Sequence, residues 1–472
     1  MVGRKREMDC LKNAFLKKEA QLVAVYGRRR VGKTYLVRET FGGKFYFQHS
    51  GVANETMAGQ LAEFRDSLVR AGAKEVPRFT SWREGFNELE KFIVAGGLRR
   101  KKVLFIDEMP WMDTPKSGFV SAFEAFWNGW CSGRKDVLLI ICGSASSWIV
   151  KNVFRNRGGL YNRVSERIHL QPFTLRECRE MCLEKSICFS NMDIAELYMA
   201  MGGIPYYWSK LVKGESVARA IDRLFFSSDG ALRGEFAELY LSLFGSSVQY
   251  EKIIRTLASV KSGMSKEALL ASSGIGSGGN ANRYLDALEE CGFVRRFTAF
   301  GKKKRDAQYQ LIDNFSLFHL RFLDGESNHD EHFWSNSTSS AALNAWRGLA
   351  FERLGLLHVR QINKALGITG VLTNTYSWRH EADGTYPWGV QIDLLLERAD
   401  RVVNVCEFKF AKGEFVVTAE YEKALNRKCE TFSAVTGSRS ATHVTLVTTN
   451  GVAHNSHYGV VQSEVTLDDL FT

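Results

Sequence analysis

Gly27, Gly32, Lys33 and Thr34 stand at the spacing that cradles a polyphosphate. The segment "QLVAVYGRRRVGKTYLVRETF" passes from an apolar run, Leu22 to Tyr26, through a loop and into a helical pattern after Thr34. Its loop has the form G-x-x-x-x-G-K-[ST], with Arg28, Arg29, Arg30 and Val31 between the glycines and Tyr35 just beyond. Glycines let the backbone wrap an anion, so that amide N–H groups and a helix amino terminus point at it. Lys33 is then expected to neutralise the β and γ phosphates of ATP, and the Thr34 hydroxyl to hold Mg²⁺.

A second stretch, "KKVLFIDEMPW", sets four apolar residues before Asp107 and Glu108, as when a buried parallel strand delivers carboxylates to its carboxyl end. Asp107 is the expected magnesium partner, and Glu108 the group that polarises the water attacking the γ-phosphate. In "DVLLIICGSASSW", Ser144 follows a third strand, either as a γ-phosphate sensor or as a helix cap. Downstream, Arg155, Arg157, Arg163 and Arg167 are candidates for a transition-state arginine, of which Arg163 is favoured.

The other chemistry-bearing stretch is "GVQIDLLLERADRVVNVCEFKF", residues 389–410, where Asp393, Glu407 and Lys409 interrupt two apolar runs. A hairpin turning near residue 399 or 400 would set Asp393 opposite Glu407 or within one position of it. Opposed residues bring their Cβ atoms to about 5 Å, where two carboxylates repel unless a divalent cation is bound between them. Lys409 shares the face of Glu407 by strand alternation and is placed to orient a water or offset charge on a phosphate. Asp followed by Glu-x-Lys is similar to the PD-(D/E)XK nuclease core. An upstream helix, "AWRGLAFERLGLLHV", offers Glu352 as a further metal ligand. The rival readings are a solvated edge hairpin with Glu407 and Lys409 as a surface pair, and a nuclease-like fold kept for binding.

The elements that must position these groups follow from length and composition. A chain of 472 residues is too long for one ordinary core. Its 45% hydrophobic and 24% charged residues are those of a globular protein, and no apolar run approaches a membrane span. The charged amino terminus argues against export, so a cytoplasmic location is expected. Nine cysteines without CxxC pairs are read as buried thiols. A net charge of +11 raises the expectation of a polyanionic partner.

The expected order is a P-loop core over 1–170, a helical lid over 171–235, a winged helix over 236–323, a polar linker over 324–340 and a nuclease-like domain over 341–472. The winged helix rests on three helical segments and a basic hairpin carrying Lys302, Lys303, Lys304 and Arg305. Its third helix, about residues 279–291, also carries Asp286, Glu289 and Glu290, which repel phosphate.

"VGRKREMDCLKNA", "GRRRVGKT", "LFIDE", "CGSASS" and "MGGIPYYW" in this order resemble the archaeal-type ATPases of the AAA+/STAND kind. The resemblance implies an α/β multidomain chain: a P-loop AAA+ core with lid, a winged helix and a carboxyl-terminal restriction-endonuclease-like domain. It places Gly3, Arg4 and Glu7 on the adenine side, and Gly202, Gly203 and Pro205 in a lid signature. The expected function is an ATP-binding and hydrolysing protein coupled to a metal-dependent DNA endonuclease. The alternative is an ATP-dependent regulatory switch or nucleic-acid remodeller. Expected partners are ATP, Mg²⁺ and DNA and no membrane, with a homo-oligomer left open.

Overall fold

The computed structural model describes all residues except 99, 145, 156–158, 246–247 and 326–329, with Ser146 and Lys304 described by backbone alone. The chain divides into two compact units, Met1–Pro172 and Phe173–Thr472. Among the described residues no helix is long and apolar enough to cross a membrane. Six cysteines are buried, whereas Cys188 is exposed, against the expectation of uniform burial.

In the first unit, β1 (Gln21–Tyr26), β2 (Phe47–Ser50), β3 (Lys102–Asp107), β4 (Val137–Gly143) and β5 (Glu166–His169) form one parallel sheet in the order β2-β3-β4-β1-β5. β3 and β4 are buried at every position, which is why they read as unbroken apolar runs without alternation. Leu22, Ala24, Leu104, Ile106, Leu139 and Ile141 face a cluster that includes Phe64, Phe86 and Phe123 from the covering helices. Because all five strands run the same way, the loops after β1, β3 and β4 emerge at one edge, where ligands of open α/β sheets bind.

The second unit opens with helices Leu175–Glu184 and Asn191–Met201. It continues through helices α1 (Val248–Ala258), α2 (Lys266–Ser273) and α3 (Gly279–Glu290), interleaved with a small sheet. That sheet joins β6 (Met264–Ser265), β7 (Val294–Phe297) and β8 (Gln308–Leu311) in the order β6-β8-β7. The expected polar linker is partly a packed segment. Trp334 is fully buried between Phe318, Phe322 and Trp346, and its backbone N–H donates to Asp222 at 2.8 Å. Polar residues dominate its composition, but two adjacent aromatics, Phe333 and Trp334, decide its placement.

The last layer is α4 (Ala341–Leu357), then β9 (Thr373–His380), β10 (Val390–Arg398) and β11 (Val402–Lys409). α5 (Ala419–Thr436), β12 (Ala441–Thr448) and β13 (Ser463–Thr466) complete it. The five strands lie in the order β13-β12-β11-β10-β9. α4 covers one face of the sheet, where Phe351 meets Phe408, and α5 covers the other, where Phe432 joins Val403, Val405, Ile392 and Leu395.

Candidate functional sites

At the end of β1 the backbone turns at Gly27, where a Cβ would lie 2.3 Å from the Leu170 carbonyl oxygen. No other residue fits there. Gly32 has φ +92 and Arg30 φ +67, positive dihedrals that turn the loop tightly before the helix Lys33–Phe41 begins. Lys33 is buried, and its Nζ donates to the carbonyls of Gly27 (3.1 Å) and Arg28 (3.0 Å). The same loop buries Arg28 and Val31, leaves Arg29 half-buried and exposes Tyr35.

The Thr34 hydroxyl donates to Asp107 Oδ2 at 2.7 Å, joining the loop to the end of β3. Burial raises the Asp107 carboxyl above its usual range, and the Thr34 hydrogen bond partly offsets this. A hydroxyl and a carboxylate in one hard-oxygen set fit Mg²⁺, which favours one or two protein oxygens plus waters and substrate phosphates. Glu108 follows in a left-handed conformation, φ +43, and its carboxylate accepts from the Ser144 backbone N–H (3.0 Å) and hydroxyl (2.8 Å). The ends of β1, β3 and β4 thus deliver the predicted residues to one place.

The arginines are less well placed. Arg163 is exposed and makes no side-chain hydrogen bond among the described residues, while Arg167 lies over the Phe154 ring at 4.5 Å. Arg157 lies outside the described residues. Arg4 is buried and donates to the Gln171 carbonyl at 2.6 Å, fastening the amino-terminal segment to the chain after β5. In the second unit, Gly203 lies where a Cβ would meet the Phe173 carbonyl oxygen at 2.0 Å, and Pro205 starts a short helix.

In the carboxyl-terminal sheet, β10 pairs with β11 from Leu394–Cys406 to Glu397–Val403. Asp393 and Glu407 therefore stand one position beyond the last paired residues, as the hairpin count requires. Period-two alternation does not show the bulge that shifts the register of β10 against β9 between Ile392 and Leu395. A bulge adds a residue to one strand and re-aims the side chains beside it. As a result Ile392 and Leu395 both pack on the cluster with Phe432, and Asp393 lines a cleft with Glu352. Glu407 is buried, and α5 supplies its partners: Lys428 as an ion pair and the Tyr421 hydroxyl at 3.4 Å. The Lys409 ammonium lies over the Tyr421 ring at 4.5 Å.

Glu352 is engaged by Arg353 at 2.9 Å. Burial first, then the Asp393 charge, push its proton affinity up to about 7, with Glu407 adding a smaller effect. Burial lowers the proton affinity of Lys409, and the Glu407 and Asp393 charges partly oppose it. The carboxylates feel one another, but among the described residues no three His, Cys, Asp or Glu side chains gather closely enough to hold a metal ion. The three carboxylates expected from the sequence, Glu352, Asp393 and Glu407, thus do not form one gathered cluster in this structure. The bulge sends Asp393 to the Glu352 side, and Lys428 takes the Glu407 oxygen. Lys428, Tyr421, Arg353 and Arg295 escaped sequence reasoning because they come from other elements at no diagnostic spacing.

Residues 1–211 match a family described as an ATPase domain predominantly from Archaea. An uncharacterised protein of Methanocaldococcus jannaschii is 23% identical over 406 residues, covering 84% of this chain and 83% of its own length. Among solved structures, a Walker-type ATPase of Pyrococcus abyssi is similar at 17% identity and a TM-score of 0.46, over 68% of this chain and 96% of its own. The ORC2 protein of Aeropyrum pernix is similar at 13% identity and a TM-score of 0.41, over 72% of this chain and 96% of its own. On the family match alone, residues 1–211 form an archaeal-type ATPase domain.

Proposed function

We propose that this chain binds and hydrolyses Mg²⁺-ATP, and that its nucleotide state governs a metal-dependent DNA endonuclease in the carboxyl-terminal sheet. The 2.7 Å contact between Thr34 and Asp107 carries the first half, since it joins the loop's hydroxyl to the carboxylate that would share a magnesium ion. Lys33 would leave its loop carbonyls for the β and γ phosphates, and Glu108 would take the proton of the attacking water. Arg163 is kept as the candidate finger, reaching a phosphate only if the turn before β5 moves or another subunit receives it.

For the second half, support comes from Glu407 and Lys409 on one sheet face, with Asp393 and Glu352 at the adjoining bulge. Mg²⁺ held by Asp393 and Glu407 would polarise a phosphodiester; Lys409 would orient the water. In this reading the three helices and hairpin of residues 248–311 act as a winged helix, supported by Lys302, Lys303 and Arg305 exposed on the hairpin. Cytoplasmic location and self-association remain part of this proposal.

Purified protein is to be incubated with supercoiled plasmid and Mg²⁺ or Mn²⁺. Nicking that stops in Asp393→Ala and in Lys409→Ala, while ATP hydrolysis persists, supports the reading. The Lys428 ion pair favours a second reading, an ATP-driven switch whose last domain only binds. Absence of nicking with intact ATP turnover would select it.

A further inference from the structure

The three-helix module and the final sheet share a wall. The hairpin residue Phe300 donates its N–H to the Ser377 carbonyl of β9 at 3.0 Å, and Ala299 forms a parallel bridge with Ser377. The Phe300 ring packs against Tyr376 and Phe432, centroids 5.4 and 5.0 Å away. Backbone pairing and aromatic packing together fix the hairpin on the edge of the sheet. Beside this weld lies a cleft of about 980 Å³, lined by Lys302, Arg305 and Arg295 from the hairpin module and by Arg379, Gln391, Glu352 and Asp393 from the last domain.

Arg295, on β7, is the telling group. Its Nε donates to Gln310 Oε1 at 2.7 Å, and Gln310 in turn donates to the Lys261 carbonyl at 2.6 Å, so the guanidinium plane is set by two successive hydrogen bonds. Its carbon centre lies over the Phe297 ring at 4.5 Å. The terminal nitrogens make no hydrogen bond among the described residues, yet the side chain lines the cleft. Burial, the neighbouring Arg353 and the opposing carboxylates leave its proton affinity at about 10, so it remains a cation at neutral pH. A fixed, half-buried guanidinium with an open fork, next to carboxylates that form no ion pair with it, is built for an oxyanion that two N–H groups can meet together.

We propose that this cleft is a phosphodiester-binding site composed of both modules, and that Arg295 grips one backbone phosphate of a polynucleotide strand beside Asp393 and Glu352. Arg379 and Lys302 would hold the strand on either side of that phosphate. Arg295 is a binding and positioning residue contributed by the hairpin module to the centre of the last domain. The proposal rests on the nuclease reading only for its purpose, since strand binding is required whether or not the strand is cut.

The test is the salt dependence of binding of a fluorescein-labelled single-stranded oligonucleotide to the full chain, by anisotropy, with EDTA and no nucleotide. DNA and RNA versions identify which backbone the cleft takes. Each phosphate contact contributes about 0.7 to the slope of log K against log salt for single strands. Arg295→Gln is expected to weaken binding about tenfold or more and reduce the slope by about that amount, while Arg295→Lys keeps the slope and loses part of the affinity. Arg379→Gln, at an exposed position, should lower the slope similarly, and it decides alone if Arg295→Gln does not fold. Unchanged slope and affinity in the folded variants overturn the proposal, even if plasmid cleavage is observed. Lost slope in a protein that never cuts DNA upholds it and rejects the nuclease instead.

Discussion

Ser144 donates both its backbone N–H and its hydroxyl to a single oxygen of Glu108, at 3.0 and 2.8 Å. The two residues end neighbouring strands, and Glu108 sits in a left-handed conformation that non-glycine residues adopt only at a cost of about 1–2 kcal/mol. The pair therefore fixes a carboxylate whose backbone alone would not hold it. Ser144 reads here as the orienter of the candidate base. Ser144→Ala is expected to lower kcat for ATP hydrolysis by about tenfold, equivalent to about 1.4 kcal/mol of barrier, with little change in nucleotide affinity. Glu108→Gln should lose about 10² to 10³ in kcat. A phosphate-release assay with parallel measurement of ATP binding distinguishes these effects. Equal loss of affinity and turnover in Ser144→Ala would place the serine on the phosphate alone.

Lys33 tests the cradle itself. Its ammonium is buried against the Gly27 and Arg28 carbonyls, so the loop is organised around a cation. Lys33→Ala is expected to reduce ATP affinity by about tenfold or more and to abolish turnover, since a charge-assisted contact to phosphate contributes about 1.5–3 kcal/mol. Titration with a fluorescent ATP analogue checks it; full binding and turnover in the variant would remove this loop as the nucleotide site.

Much of the first site was legible because phosphate chemistry compresses its signal into short stretches. Gly27 to Thr34 is contiguous, and Asp107 and Glu108 announce themselves by following a wholly buried strand. The second site was legible only as a list of residues. Period two predicts the turn and the count between Asp393 and Glu407, but a one-residue bulge leaves no mark in that period and changes where Asp393 lies. The partners of these groups come from three other elements: Lys428 and Tyr421 from α5, Arg353 from α4 and Arg295 from β7. Only tertiary packing brings them in. Trp334 repeats the lesson, since the polarity of its neighbours concealed a core position.

His358 gives a pH prediction. Its Nδ1 lies 2.8 Å from the Leu354 carbonyl, and its Nε2 accepts the Leu175 N–H at 3.2 Å, so the neutral tautomer with the proton on Nδ1 satisfies both neighbours. Protonation would point two N–H groups at each other inside a fully buried site, and burial lowers its pKa to about 4. The unfolded chain takes up this proton near pH 6.5 and the folded chain only near 4. The associated stability is full above pH 6.5 and is lost as pH falls towards 4. Urea unfolding of the full chain at pH 7 and pH 5 should show the loss, of order 1–2 kcal/mol from this group, and His358→Gln should flatten part of the slope. A pH dependence unchanged in that variant would mean that the His358 proton is not linked to folding.

Lys428 and a divalent cation compete for the same Glu407 oxygens. The ion pair is partly buried, with Tyr421 on the other oxygen, so a cation entering from the Asp393 side must displace an ammonium already in place. Lys428→Met removes the competitor and keeps a side chain of similar length. If Asp393 and Glu407 are metal ligands, the variant should bind Mn²⁺ about tenfold more tightly by calorimetry and reach half-maximal nicking at correspondingly lower metal. Adding Asp393→Asn should cancel that gain, because the second ligand is then lost. If Lys428→Met leaves Mn²⁺ affinity unchanged, or Asp393→Asn fails to cancel its gain, Glu407 is a structural acid paired to α5, and the reading of the last sheet as a cutting site fails with it.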